Sequence, residues 1–189
     1  MAPLPTVKKA GIDILFPSQY QTLIDNARDD RFRDTLTILF HTGMRYSELK
    51  QISRETYDER SGKLCIRSEK ALCKGKGKTE KTKERFRWIT LTPQARSSVV
   101  RWISQGFKPM SLQAYNERVA KIARYHGFTV SGKTSRKTLE SWRLILGDDS
   151  VKTCVEIGHS PATAYNHYLQ NLPFIDEDLQ MIRQVLGRV

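Results

Sequence analysis

Between Glu55 and Leu91 the spacing of apolar residues changes, and that change limits the architectures open to this chain. On either side, apolar positions recur every three or four residues, as on one face of a helix. Inside the window, Leu64-Cys65-Ile66-Arg67 and Arg85-Phe86-Arg87-Trp88-Ile89-Thr90-Leu91 read as short β-like runs, the second alternating like a half-buried strand. Arg60-Ser61-Gly62-Lys63 is a turn between a preceding short β-like run and the run 64–67, and a loop dense in lysine and glycine, residues 70–83, leads into the run 85–91. The expectation is a small antiparallel sheet with a basic hairpin, set in an otherwise helical α+β domain. A chain of 189 residues with 39% apolar content can bury one real core. It shows no internal repeat and no convincing linker.

Residues 1–16, with Pro3, Pro5 and Gly11, read as an extended lead-in, and 17–189 as one domain. The first helix is expected to follow Ser18 as N-cap, with Tyr20, Leu23, Ile24 and Ala27 on its apolar face. A second spans about 31–41 and stops at Gly43; a short helix from Ser47 then leaves Arg45 in the turn before its N-terminus. After Pro93 the pattern is helical throughout. It predicts helices over 94–105 (core candidates Val99, Val100, Trp102, Ile103), 112–125 capped by Ser111, 136–146, and 151–157 capped by Asp148 or Asp149. A last helix, with Asp176 as cap, carries Ile175, Leu179, Ile182 and Leu186 at helical spacing.

The net charge of +12 favours a polyanionic partner, nucleic acid before an anionic membrane surface. No apolar run approaches the roughly 20 residues that cross a bilayer. The N-terminus lacks an apolar signal core, so the expected location is the cytoplasm. Cys65, Cys73 and Cys154 are too few and too scattered for a zinc site or disulfide framework, and no metal or cofactor is indicated. Arg118, Lys121 and Arg124 recur along one helical flank suited to a DNA backbone. Lys74, Lys76, Lys78 and Lys83 of the hairpin are further candidates for DNA contact, with Lys137 beside the second motif below.

The chemistry-bearing residues concentrate between Lys133 and Tyr168. Lys133 and Arg136 stand three apart, His159 follows Gly158, and Tyr168 lies nine residues beyond His159; Arg45 sits far upstream. Cations, an imidazole and a phenol without a carboxylate cluster suit an anion whose charge grows in the transition state, and a phosphodiester is the natural candidate. Each residue has a plainer reading: surface arginines, a histidine at a helix end, a buried tyrosine. Tyr165 competes with Tyr168, one helical turn earlier on much the same face.

Three boxes in order carry a family resemblance. Thr42-Gly43-Met44-Arg45-Tyr46-Ser47-Glu48-Leu49 is similar to the Thr-Gly-x-Arg-x-Ser-Glu-Leu box of the tyrosine recombinases (phage-type integrases). Lys133-x-x-Arg136-Lys137-Thr138-Leu139 resembles their His-x-x-Arg-His-Thr-Phe box, and Gly158-His159 with Tyr168 nine residues on matches their Gly-His and tyrosine spacing. The resemblance covers about 18–170. It implies a recombinase catalytic domain that shares its fold with type IB topoisomerases, acting on double-stranded DNA without metal or ATP. In that mechanism Tyr168 attacks the scissile phosphate to form a 3′-phosphotyrosine link. Arg45 and Arg136 hold the non-bridging oxygens, His159 donates a further hydrogen bond, and Lys133 adds charge or a proton. A hairpin lysine, Lys81 or alternatively Lys83, protonates the leaving oxygen, while Glu48 orients the first box.

Two departures stand out. Lys133 occupies the usual histidine position, which resembles archaeal-type, particularly archaeal-virus, integrases; an ammonium with a pKa of about 10.4 is a poor base unless desolvated. The separate N-terminal DNA-clamping domain of the family is missing from this sequence, as expected of a catalytic fragment or a minimal enzyme. The resemblance also implies a homo-oligomer, a tetramer on DNA, in which the C-terminal helix docks on a neighbouring protomer; folding back on its own domain is the equal alternative. Beside the recombinase stand a topoisomerase-like relaxing enzyme and a non-catalytic DNA-binding module.

Overall fold

The computed structural model describes residues 7–9, 12–68, 86–158 and 173–188. A short hairpin, β1 (Val7–Lys9) and β2 (Ile12–Ile14), precedes α1 (Pro17–Asp25) and α2 (Asp30–Thr42). A 3-10 helix, Tyr46–Gln51, leads into β3 (Tyr57–Asp58), β4 (Lys63–Arg67) and β5 (Phe86–Thr90). Then come α3 (Pro93–Ser104), α4 (Leu112–Tyr125), α5 (Thr134–Ile145), α6 (Ser150–Ile157) and α7 (Asp176–Val185). β3, β4 and β5 form an antiparallel sheet in that order, with Leu64 opposite Ile89 and Cys65 opposite Trp88. No helix among the described residues is long and apolar enough to cross a membrane.

The core gathers on α2, which packs against both α3 and α5. Leu36, Ile38 and Leu39 of α2 meet Val99 and Trp102 of α3 and Leu139 and Trp142 of α5, all buried. Cap chemistry sets most helix starts. Asp29 accepts from Phe32 N, Ser111 from Ala114 N, and Asp149 from Lys152 N, which decides between the two aspartates proposed for α6. Thr92 caps α3, with Pro93 preset for the first turn.

Three expectations change. Ser18 is not the N-cap of α1: Phe16 is, and Gln19 reaches back to accept its backbone N–H at 2.9 Å. Asp176 is likewise inside α7, whose N-cap is Ile175; the Ile175 N–H donates to Asp178 at 3.2 Å. Val100 is exposed, because the buried stripe of α3 runs through Ala95, Val99 and Trp102. The described residues of the lead-in are the two short strands and the stretch after them. Its last residues pack on α5: Leu15 N–H donates to Thr138 Oγ1, Trp142 Nε1 donates to Leu15 O, and Ile14, Leu15 and Phe16 are buried.

α7 folds back on its own domain. Ile182 and Leu186 are buried in the common core, while Ile175, placed on that stripe by spacing alone, is exposed. Phe174 meets Phe16 edge-on at 5.2 Å, and Arg188 pairs with Asp148. Removing residues 174–189 would therefore strip apolar side chains from the core as well as a terminal element.

Candidate nucleic-acid-cleaving site

Arg45 is the N-cap of the 3-10 helix, at the end of the turn that closes α2. Gly43 makes that turn possible: its φ is +61°, and a Cβ there would lie 3.2 Å from both Ile157 Cγ1 and Leu139 Cδ2. Glu48, three residues on, is fully buried and reaches back to accept from the Arg45 N–H at 2.8 Å and from Arg45 Nη1 at 3.1 Å. The Arg45 side chain keeps about a third of its surface exposed (32%), so it is anchored at its base and open at its tip. Glu48 thus orients the first box, as its position suggests.

Arg136 lies in the first turn of α5, which begins two residues earlier than periodicity predicts and so makes Lys133 its N-cap. Arg136 Nη1 donates to Gly43 O at 2.9 Å, tying the second box to the first across 93 positions of sequence. Burial, then the charges of Arg45 and Arg87, push the Arg136 pKa down to about 10, with Glu48 and Glu140 opposing. The group stays cationic at neutral pH, yet its charge is disfavoured by its surroundings. The first turn of α5 contains no acidic residue, and Lys133, Arg136 and Lys137 all sit at the positive end of its dipole. Lys133 is exposed there. Burial also lowers Lys137, which is half-buried, with Glu140 opposing and Arg136 adding to the effect.

The member that sequence reasoning missed is Arg87 on β5. Ile89 and Leu91 point into the core, so the two-residue period of the strand turns Arg87 inward and Phe86 and Trp88 out to solvent. Arg87 grips Glu48 with both terminal nitrogens, Nη1 to Oε1 at 3.2 Å and Nη2 to Oε2 at 2.5 Å. Burial pushes the Glu48 carboxyl up, but the hydrogen bonds and charges of Arg87, then Arg45, outweigh it and hold the group below the usual carboxylate range. The signal available in the sequence was strand parity; charge alone points the other way.

Three guanidinia, Arg45, Arg87 and Arg136, therefore act on one another around one buried carboxylate. Adding Lys137 and Glu140 gives four cations and two anions among the described residues. Such a cationic surrounding, with the tip of Arg45 exposed, fits a phosphate better than a neutral ligand.

The other candidates divide. Lys121 and Arg124 are exposed on α4, while Arg118, on the same flank, pairs with Asp29 at 2.5 Å and lies over the Phe32 ring. Lys74, Lys76, Lys78, Lys81, Lys83, His159, Tyr165 and Tyr168 lie outside the described residues. α6 ends at Gly158, so the chain enters the segment of His159 and Tyr168 from beside Arg87.

A scan against protein-family models and a search of curated proteins gave no match. Solved structures do match. XerA recombinase superposes with a TM-score of 0.63 at 18% identity, over 90% of this chain and 64% of that one. The Tn1549 transposon integrase in complex with circular intermediate DNA gives 0.66 at 18% identity, over 90% and 66%. XerH site-specific recombinase bound to difH substrate gives 0.59 at 19% identity, over 88% and 51%. This chain thus spans between half and two thirds of those proteins. Its mostly helical architecture with a small three-stranded antiparallel sheet is the fold of the tyrosine recombinase catalytic domain.

Proposed function

We propose that this domain breaks and rejoins DNA strands as a site-specific recombinase, through a covalent phosphotyrosine. The observation that carries this reading is that Arg136 is tied to the turn that bears the partly exposed Arg45, bringing the arginines of the two boxes together. In the proposed reaction Tyr168 releases its phenolic proton to solvent as its oxygen bonds to phosphorus, the bond to the 5′ oxygen breaks, and that oxygen leaves as a 5′-hydroxyl after taking a proton. Arg45 and Arg136 neutralise the non-bridging oxygens as charge builds, and His159 donates there. Lys133, one turn before Arg136 and exposed, adds charge in the manner of archaeal-type integrases. Lys81 or Lys83 supplies the proton. The fold's resemblance to DNA-bound recombinases supports duplex DNA as partner, and we assign a homo-oligomer assembled on that DNA.

A nicked suicide duplex tests the reading, because cleavage then traps the protein on DNA. The expected result is a covalent adduct with the wild type and with Tyr165→Phe, and none with Tyr168→Phe, which still binds. An adduct that persists in Tyr168→Phe and vanishes in Tyr165→Phe transfers the nucleophile to Tyr165. Relaxation of non-cognate plasmid at a comparable rate would favour a topoisomerase-like enzyme, and binding without any adduct a non-catalytic module.

A further inference from the structure

We propose that Arg87 is a positioning residue: the buried Arg87–Glu48 pair locks Arg45 to the C-terminal end of α6, so that both halves of the site are set by one guanidinium. This deepens the strand-cleavage reading and rests on it for its catalytic consequence, though not for the coupling itself.

Arg87 touches three separate pieces of chain. Its Nη atoms hold Glu48, which in turn fixes both the backbone and the side chain of Arg45. Nη1 also donates to Ser68 Oγ at 2.9 Å, at the end of β4. Nε donates to Glu156 O at 3.0 Å, in the last turn of α6. The guanidinium is 5% exposed and so reaches no DNA itself. Gly158 closes against it: a Cβ at that position would lie 3.3 Å from Nε, Cζ and Nη1, and φ is +82°. The glycine before His159 is thereby explained by close approach as well as by its left-handed backbone. A planar fork with donors on several sides can bridge these pieces at once, whereas a lysine ammonium presents a single point. A displacement of about 1 Å in a reacting constellation costs on the order of 100-fold in rate.

Two variants separate positioning from a stability staple. Arg87→Lys keeps the charge and loses the fork. With suicide DNA at saturation, its cleavage rate constant should fall about 100-fold while Kd stays within about threefold. Amide exchange provides the readout that does not need activity. In Arg87→Lys the Arg45 and Gly158 amides should both exchange faster. Glu48→Gln, which touches neither Glu156 nor Gly158, should still speed exchange at Gly158, because Arg87 bonds both Glu48 and Glu156 O and so carries the effect to α6. Glu48→Gln also serves if Arg87→Lys does not fold. Gly158 exchange unchanged in Glu48→Gln overturns the coupling, and so does wild-type cleavage by a folded Arg87→Lys. If the wild type itself forms no adduct, the strand-cleavage reading fails, and the exchange measurements still decide whether Arg87 joins the two halves.

Discussion

Two ionic clusters stand out among the described residues, one partly buried around Asp148 and one buried around Glu48, and they are built to opposite rules. Around Asp148, Arg143 donates to Asp148 at 2.7 Å and to Glu156 at 2.6 Å, while Arg188 adds a second grip on Asp148 at 2.6 Å. Two guanidinia meet two carboxylates, and the cluster is neutral. Around Glu48 the guanidinia outnumber the carboxylate they share. A balanced cluster has spent its charge on joining α5, α6 and the C-terminus. The unbalanced one retains charge to offer, and that contrast separates a staple from a site better than burial does.

The largest expected effect breaks the unbalanced cluster. Arg136→Ala or Arg45→Ala should each lower cleavage at saturating DNA by at least about 100-fold, the order seen on removing one transition-state donor. Affinity should fall far less; equal losses in binding and cleavage would demote both arginines to phosphate-positioning contacts. Arg143→Ala breaks the balanced cluster and should act the other way. It should cost about 2 kcal/mol in chemical denaturation, since it leaves Glu156 without its partner, and leave cleavage by the folded fraction intact.

Acid should separate the clusters from a buried histidine. His41 is held between Tyr20 Oη at 2.8 Å and Thr92 Oγ1 at 2.7 Å, and burial brings its pKa down to about 4. The unfolded chain takes up a proton near pH 6.5 and the folded one does not, so stability falls as pH drops through this window. The loss should be about 2 kcal/mol by pH 5. Burial raises Asp148, but Arg188 and Arg143 more than offset it; like Glu48 it lies below its ordinary value. Both carboxylates keep their contribution above about pH 4 and lose it only as pH falls through their folded values. Denaturation midpoints from pH 7 to 3 should therefore show two steps, and His41→Gln should remove the first.

A smaller effect sharpens the contrast directly. Inorganic phosphate at about ten times its Kd should stabilise the wild type by about 1.4 kcal/mol, or roughly 3 to 6 °C in Tm. Arg136→Ala should lose that shift and Arg143→Ala should keep it. The smallest effect is on salt. The affinity for DNA should fall steeply with salt, and Lys121→Ala or Arg124→Ala should each reduce the log–log slope by roughly 0.9. Arg118→Ala should change it less, because Asp29 already holds that charge.

Much of the architecture was legible in the chain because burial follows periodicity. The change of period at 55–91 locates the sheet, and Leu36, Leu39, Val99 and Trp102 are buried where their spacing places them. Apart from Val100 and Ile175, which lie off the buried stripe of their helices, the misses share a cause: they depend on a side chain reaching a backbone or an ion outside its own element. Gln19 and Asp178 reach back to cap helices at Phe16 and Ile175, where no capping residue type stands. Arg87 is the inward member of its alternating strand and is neutralised by Glu48, 39 positions away, a contact the strand's own pattern does not carry. Arg45 and Arg136 were legible as a pair through their motifs, but their link through Gly43 O was not.

The inverted strand has a spectroscopic consequence. Turning Arg87 inward puts Trp88 on the outside, half exposed at 54%, while Trp102 and Trp142 are sealed in the core. The described tryptophans thus divide into one wet indole and two dry ones. Acrylamide should quench the red-shifted part of the emission alone, and that part reports on the residue next to Arg87. Native fluorescence can follow this strand on binding DNA, with no label attached and no core residue disturbed.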